Sequence, residues 1–135
     1  MRNGVVPDHR TGFYESTRIP AAVRDGDRLY VTGHTGEETD GSFSADPESQ
    51  IRQTFSLISA TLLKSGASWA DVVELNSYHV GLRDQAAVLI AVAGEFLSDP
   101  YPAWTAVGVT ELFDEGAVVE ISCTAALREL RGSSE

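Results

Sequence analysis

The run "AVVEISCTAAL" places one carboxylate, Glu120, among apolar and small residues. A carboxylate in such a strand centre is paired, set in an interface, or lines a cleft. Where it is partly desolvated its pKa rises, and it can hold and pass a proton or orient a water. The competing reading is an ion pair with an arginine. Other reactive side chains offer less. His9, His34 and His79 share no metal-ligand spacing, and zinc needs three or four converging ligands, so no metal is expected. Cys123 alternates with Val119 and Ile121, which assigns it to a core where a thiol is inert. Lys64 is the only lysine and falls at a predicted helix end, a poor place for Schiff-base chemistry. "VTGHTG" lacks the lysine and following helix of a phosphate loop. No nucleophile-elbow serine is present.

The elements that position these residues are well punctuated. Ala22–Arg24 and Arg28–Thr32 read as a hairpin around Asp25-Gly26. Asp46 caps a helix with Pro47 at its first position and Glu48 in its first turn. Ile51, Phe55, Ile58 and Leu62 form its apolar stripe, and Gly66 stops it. Val72–Val80 reads as a strand, and Asp84 as the cap of a second helix with Val88, Val92 and Phe96 on one stripe. Ala103–Val109 and Val118–Ala125 are the last strands. The N-terminal dozen residues and the tail "RELRGSSE" read as loose. The order predicts an α/β (α+β) fold, one sheet with two helices on one face. In the last strand Val119, Ile121, Cys123 and Ala125 face the helices, while Val118, Glu120, Ser122 and Thr124 form a mixed face. A mixed face on a long strand predicts a cleft or a subunit interface, hence a homo-oligomer.

Composition narrows the function classes. The chain has 135 residues, suited to one domain, and a net charge of -10 from 20 acidic and 10 basic residues. That balance opposes broad binding to nucleic acid or anionic membranes. No run approaches the roughly 20 apolar residues of a membrane span. A single cysteine excludes an intrachain disulfide and suits a reducing compartment. "MRNGVVPDHRTG" has no apolar h-region, so the expected location is cytoplasmic.

Four stretches together carry a family resemblance: "DRLYVTGHTG", "QIRQTFSLISATLLKSGASWADVVELNSYHV", "PYPAWTAVGV" and "VVEISCTAAL". In order and spacing they resemble the reactive-intermediate deaminase (Rid) family, also called YjgF-type or endoribonuclease L-PSP-like, over roughly residues 13 to 128. The resemblance implies a chorismate-mutase-like fold, with three subunits joining their sheets into a central barrel and ligand clefts between them. It implies hydrolysis of reactive enamines or imines to 2-keto acids and ammonia, with no cofactor. Glu120 matches the family's water- or proton-handling glutamate. Thr32 and Gly33 match a hydroxyl and a backbone N–H offered to the ligand, and Thr105 matches a serine or threonine. The departures are as informative. Deaminase members have a carboxylate-clamping arginine after the Pro-Ala pair, and here Trp104 follows Pro102-Ala103. Ala106 replaces a frequent cysteine, and a family tyrosine falls at about Ile19.

Two readings of Trp104 follow: an interface packing residue, or the wall of a cleft for a flatter, less charged ligand. Trp104, Ala106 and Gly108 alternate onto one strand face, expected to be the face of Glu120, with Thr105, Val107 and Val109 towards the core. Arg18 or Arg24 could supply a cation from another direction, and Tyr14 or Tyr101 a phenol. The function expected is a deaminase-like hydrolase for a small metabolite, not a standard 2-aminoacrylate deaminase. The alternative is a non-catalytic small-molecule-binding trimer. Endoribonuclease activity is the weakest reading for so acidic a chain.

Overall fold

The computed structural model describes residues 2–128. The strands are β1 (Arg2–Val5), β2 (Ala22–Asp25), β3 (Arg28–Thr35), β4 (Val72–His79), β5 (Ala103–Gly108) and β6 (Val119–Ala126). The helices are α1 (Thr11–Thr17), α2 (Pro47–Lys64) and α3 (Leu82–Ala93), with short 3₁₀ turns at Asp8–Arg10 and Trp69–Asp71. All six strands form one sheet in the order β1-β2-β3-β6-β4-β5. The β4–β5 pair is parallel, and the other pairs are antiparallel.

The local signals for α2 act as expected. The Asp46 carboxylate accepts from the Glu48 N–H, and Pro47 opens the helix. Ile51, Phe55, Ile58 and Leu62 are all buried against the sheet, as are Val119, Ile121, Cys123 and Ala125 of β6. Beyond the end of α3, Phe96 stacks on Phe55 with ring centroids 5.1 Å apart, and Trp69 packs on both. Burial pushes the Cys123 thiol up to about 12, so it stays protonated in the core.

Three local expectations are corrected. Asp84 lies within the first turn of α3, whose cap position is Gly81 at φ 92°. Glycine adopts that left-handed conformation freely, so the chain turns and enters the helix earlier than an aspartate cap would allow. The N-terminal dozen residues are ordered. Arg2–Val5 pairs antiparallel with β2, in register from Arg2 opposite Asp25 to Val5 opposite Ala22. Without that strand β2 would be a bare edge. The following residues form the 3₁₀ turn and α1, a third helix. The expected loose tail lies outside the described residues from position 129 on, while Arg128 donates to Asp71 at 3.3 Å.

The third correction concerns β5. Leu75, Ser77 and His79 of β4 are buried on the helix side. They stand beside Trp104, Ala106 and Gly108 in register. Trp104 therefore packs against the helix-covered core. Glu120 stands beside Tyr78, on the opposite face, which it shares with Thr105 and Val107. The indole has a complete set of partners. Its Nε1–H donates to Ser77 Oγ at 2.9 Å, and Ser77 contacts His79 Nε2 at 2.8 Å. His79 Nδ1 lies 2.7 Å from Gln85 Oε1, which can only accept. His79 therefore donates from Nδ1 and accepts from Ser77. Trp104 anchors a buried polar chain.

Candidate functional site

The β3–β6 ladder is interrupted. Val31 pairs with Cys123 and His34 with Ile121, so Thr32 and Gly33 together oppose Ser122 alone. This bulge shifts the phase of β3. His34 enters the core, and Thr35 comes opposite Glu120. A Cβ built on Gly33 would collide with the Glu120 carboxylate, lying 2.8 Å from its Cδ. Glycine is the residue that admits the carboxylate there. Thr32 Oγ1 donates to the Pro20 carbonyl at 2.8 Å, which ties the bulge to the segment entering β2.

His34 pins the bulge from beneath. Its Nδ1 is 2.7 Å from the Thr32 carbonyl, and its Nε2 is 2.8 Å from Thr61 Oγ1. The carbonyl only accepts, so Nδ1 carries the proton and Nε2 accepts from the threonine. Burial lowers the His34 pKa to about 3. Burial also lowers His79 and, with Arg10 nearby, His9. Neutral histidines in the fold and protonatable ones in the unfolded chain give stability that is full above the ordinary value of 6.5. It is lost as pH falls below that value. For one buried histidine the slope approaches about 1.4 kcal/mol per pH unit. Denaturant melts from pH 7 to 5 are expected to show this loss, with a shallower slope for His34→Gln. An equal slope in that variant would exclude His34 as the source.

Around the bulge lies a cavity of about 800 Å³. Thr32, Gly33 and Glu120 line it from the sheet, and Arg10 and Phe13 from the N-terminal segment. Glu37 and Asp114 line it from two loops. Its charge is mostly negative, with Asp8, Glu38 and Asp40 also on the wall. Burial raises the Glu120 pKa, Asp114 raises it further, and Arg10 opposes them. Burial and Asp114 raise Glu37 in the same way. Thr35 Oγ1 reaches Asp114 Oδ2 at 3.4 Å. Glu120 is thus neither an exposed charge nor locked in an ion pair, since the ion pairs among the described residues lie elsewhere. It is a half-buried carboxylate facing open volume.

The structure brings Thr32, Gly33 and Glu120 together. It does not bring Trp104, Thr105, Arg18, Arg24 or Tyr14 to this cavity. Trp104 packs on the core. Thr105 is exposed on the open sheet face. Arg18 is exposed at the end of α1, and Arg24 reaches the Gly26 carbonyl in the β2–β3 turn. Tyr14 is also exposed and off the cavity wall, and Tyr101 is exposed. Sequence reasoning missed Arg10, Asp114 and Glu37. Arg10 lies in a stretch without apolar periodicity, and Asp114 lies in "FDEG", which signals only a turn.

Comparison with known proteins agrees with this architecture. The endoribonuclease L-PSP family matches residues 15–127. The RutC family protein YjgH of Escherichia coli is 38% identical over 112 residues, covering 82% of this chain and 86% of that protein. A 2-iminobutanoate/2-iminopropanoate deaminase of Dermatophagoides farinae is 33% identical over 102 residues, covering 74% of this chain and 78% of its own length. A solved structure of protein YJGH superposes with a TM-score of 0.86 at 36% identity, over 95% of this chain and 98% of that one. A matched profile over nearly the whole sheet, with the glutamate-bearing β6 inside it, shows that the chain belongs to the endoribonuclease L-PSP family, the YjgF/Rid family.

Proposed function

We propose that the chain is a hydrolytic deaminase of Rid type, acting on a small imine or enamine held in the cavity beside Glu120. The observation that carries this reading is the half-buried Glu120 carboxylate facing that volume, with its pKa raised. Hydrolysis of a C=N bond needs one group to take a proton from water and return one to nitrogen. As water attacks the imine carbon, a C–O bond forms, the π pair moves to nitrogen, and Glu120 accepts the water proton. The same proton then reaches nitrogen. In the carbinolamine so formed, Glu120 takes the hydroxyl proton and delivers it to the amine. The C–N bond breaks with its pair leaving on ammonia, the oxygen pair closes the C=O bond, and Glu120 is again a carboxylate. A carboxylate whose pKa lies nearer neutrality serves both directions better than an ordinary one. An enamine enters the same route after protonation at carbon, as an iminium cation. The acidic wall of Glu37, Asp114 and Glu120 favours that cation.

The test is ammonia release from freshly generated 2-iminobutanoate by purified protein. Absence of release above the spontaneous rate sinks the reading. RNA cleavage is a poorer fit, because the cavity wall is acidic and the chain carries a net charge of -10.

A homotrimer joined through open sheet faces belongs to the same proposal. Tyr30, Val73 and Val107 are 49%, 49% and 38% exposed, more apolar area than a solvated sheet face needs. Light scattering is expected to give three times the 14.5 kDa chain mass. A monomer mass at micromolar concentration would count against the assembly.

A further inference from the structure

We propose that Arg10 is the residue of this cavity that binds the anionic end of the ligand, so that an N-terminal arginine does the work a β5 arginine would do. The ligand is then a small planar carboxylate that also carries a protonatable nitrogen. This rests on the imine-hydrolase reading for the class of ligand, but not for the presence of an anion site.

Arg10 is the only arginine or lysine among the described residues lining the cavity. Its Nε is buried and has no hydrogen-bond partner. A buried donor left unpaired is costly, and the cost is removed when an acceptor arrives. The cavity's own acids do not fill that role. Asp114, Glu120 and Glu37 lie close enough to act on the charge of Arg10. The ion pairs among the described residues nevertheless join Arg52 to Glu48 and Glu95, and Arg128 to Asp71.

The guanidinium is also held in a set position. Its carbon lies 4.4 Å from the centroid of the Phe13 ring, and Phe13 meets Phe113 edge-on at 6.1 Å. A guanidinium resting over a ring keeps its in-plane N–H groups free, the edge that matches a carboxylate. Phe13 and Phe113 both line the cavity. The rival cations are excluded by position: Arg18 and Arg24 are exposed and off the wall. A lone cation beside three carboxylates complements a zwitterion. The ligand's carboxylate meets Arg10, and its protonated nitrogen lies among the acids.

The experiment is calorimetric titration of the full chain with 2-oxobutanoate, the ketone that hydrolysis of 2-iminobutanoate leaves, and with its uncharged methyl ester. The wild type is expected to bind the acid about tenfold or more tighter than the ester. Arg10→Gln is expected to lose that preference by weakening the acid alone, and Arg10→Lys to retain part of it. Arg24→Gln should behave as the wild type. The proposal is overturned if Arg10→Gln binds the acid within about twofold of the wild type. It is overturned equally if the wild type binds the acid no tighter than the ester, a comparison that stands even if Arg10→Gln does not fold. Parallel loss of acid and ester in a folded Arg10→Gln would make Arg10 merely a counter-ion for Glu120, and also overturns it. Binding is read here without turnover. A wild type that shows Arg10-dependent binding but releases no ammonia therefore defeats the deaminase reading and leaves the anion site standing.

Discussion

Glu120→Gln is expected to lower ammonia release from 2-iminobutanoate by about 10²–10⁴-fold, the range attributed to a positioned acid-base group. Glutamine keeps the size of the side chain and its fit against Gly33, but it cannot take a proton from water. The same variant is expected to be more stable than the wild type at pH 8. Burial and Asp114 raise the Glu120 pKa above its ordinary value of 4.5 against the opposing pull of Arg10. A carboxyl with a raised folded-state pKa favours the fold fully below the ordinary value. That stability is lost as pH rises through the raised value, because the ionised form is penalised in the cavity. Glutamine escapes the penalty. The gain should be a few degrees of melting temperature, the effect of roughly 1 kcal/mol in a small domain. It should disappear towards pH 4. An unchanged rate in the folded variant would remove Glu120 from the chemistry. A rate loss without the stability gain would leave the chemistry and reject the account of the carboxylate's surroundings.

The second large effect lies away from the reacting atoms. Gln50 is buried on α2. Its Nε2 donates to the Ser44 carbonyl at 2.7 Å and to the Gly116 carbonyl at 2.9 Å. Its Oε1 accepts from the Val118 N–H at 2.9 Å. One amide therefore fastens the loop before α2 and the loop before β6 to the same helix. Those loops carry Glu37 and Asp114; both charges act on Arg10, and that of Asp114 also acts on Glu120. Gln50→Leu conserves much of the volume but leaves those backbone groups without their partner. The three bonds are part-buried, so the loss should fall below the sum of full penalties of about 1–3 kcal/mol each and come to roughly 2 kcal/mol. Chemical denaturation measures it directly. Even under conditions where the variant remains folded, turnover should fall, because Asp114 is no longer held at the cavity. A stability loss below about 1 kcal/mol would show that water replaces the amide without penalty.

The sequence by itself determined whatever depends on neighbours along the chain. Asp46, Pro47 and the stripe from Ile51 to Leu62 specify α2, because capping and helical periodicity are local. Alternation in β6 separates Glu120 from Val119 and Ile121, because a strand's side chains alternate by geometry. It also correctly grouped Trp104 with Ala106 and Gly108. Only the tertiary structure decided which way that group points. Parity within a strand is silent about which face meets the helices, and the register with Leu75 and Ser77 turns Trp104 to the core. The bulge at Thr32 and Gly33 escaped the same way: one extra residue reverses the phase, and its signature is a pairing with another strand. Arg10 was the least legible of all. Nothing in "DHRTG" marks it, since a charge acquires its role from the surfaces that enclose it. Those surfaces come from β3, β6 and two distant loops, which only the folded chain brings together.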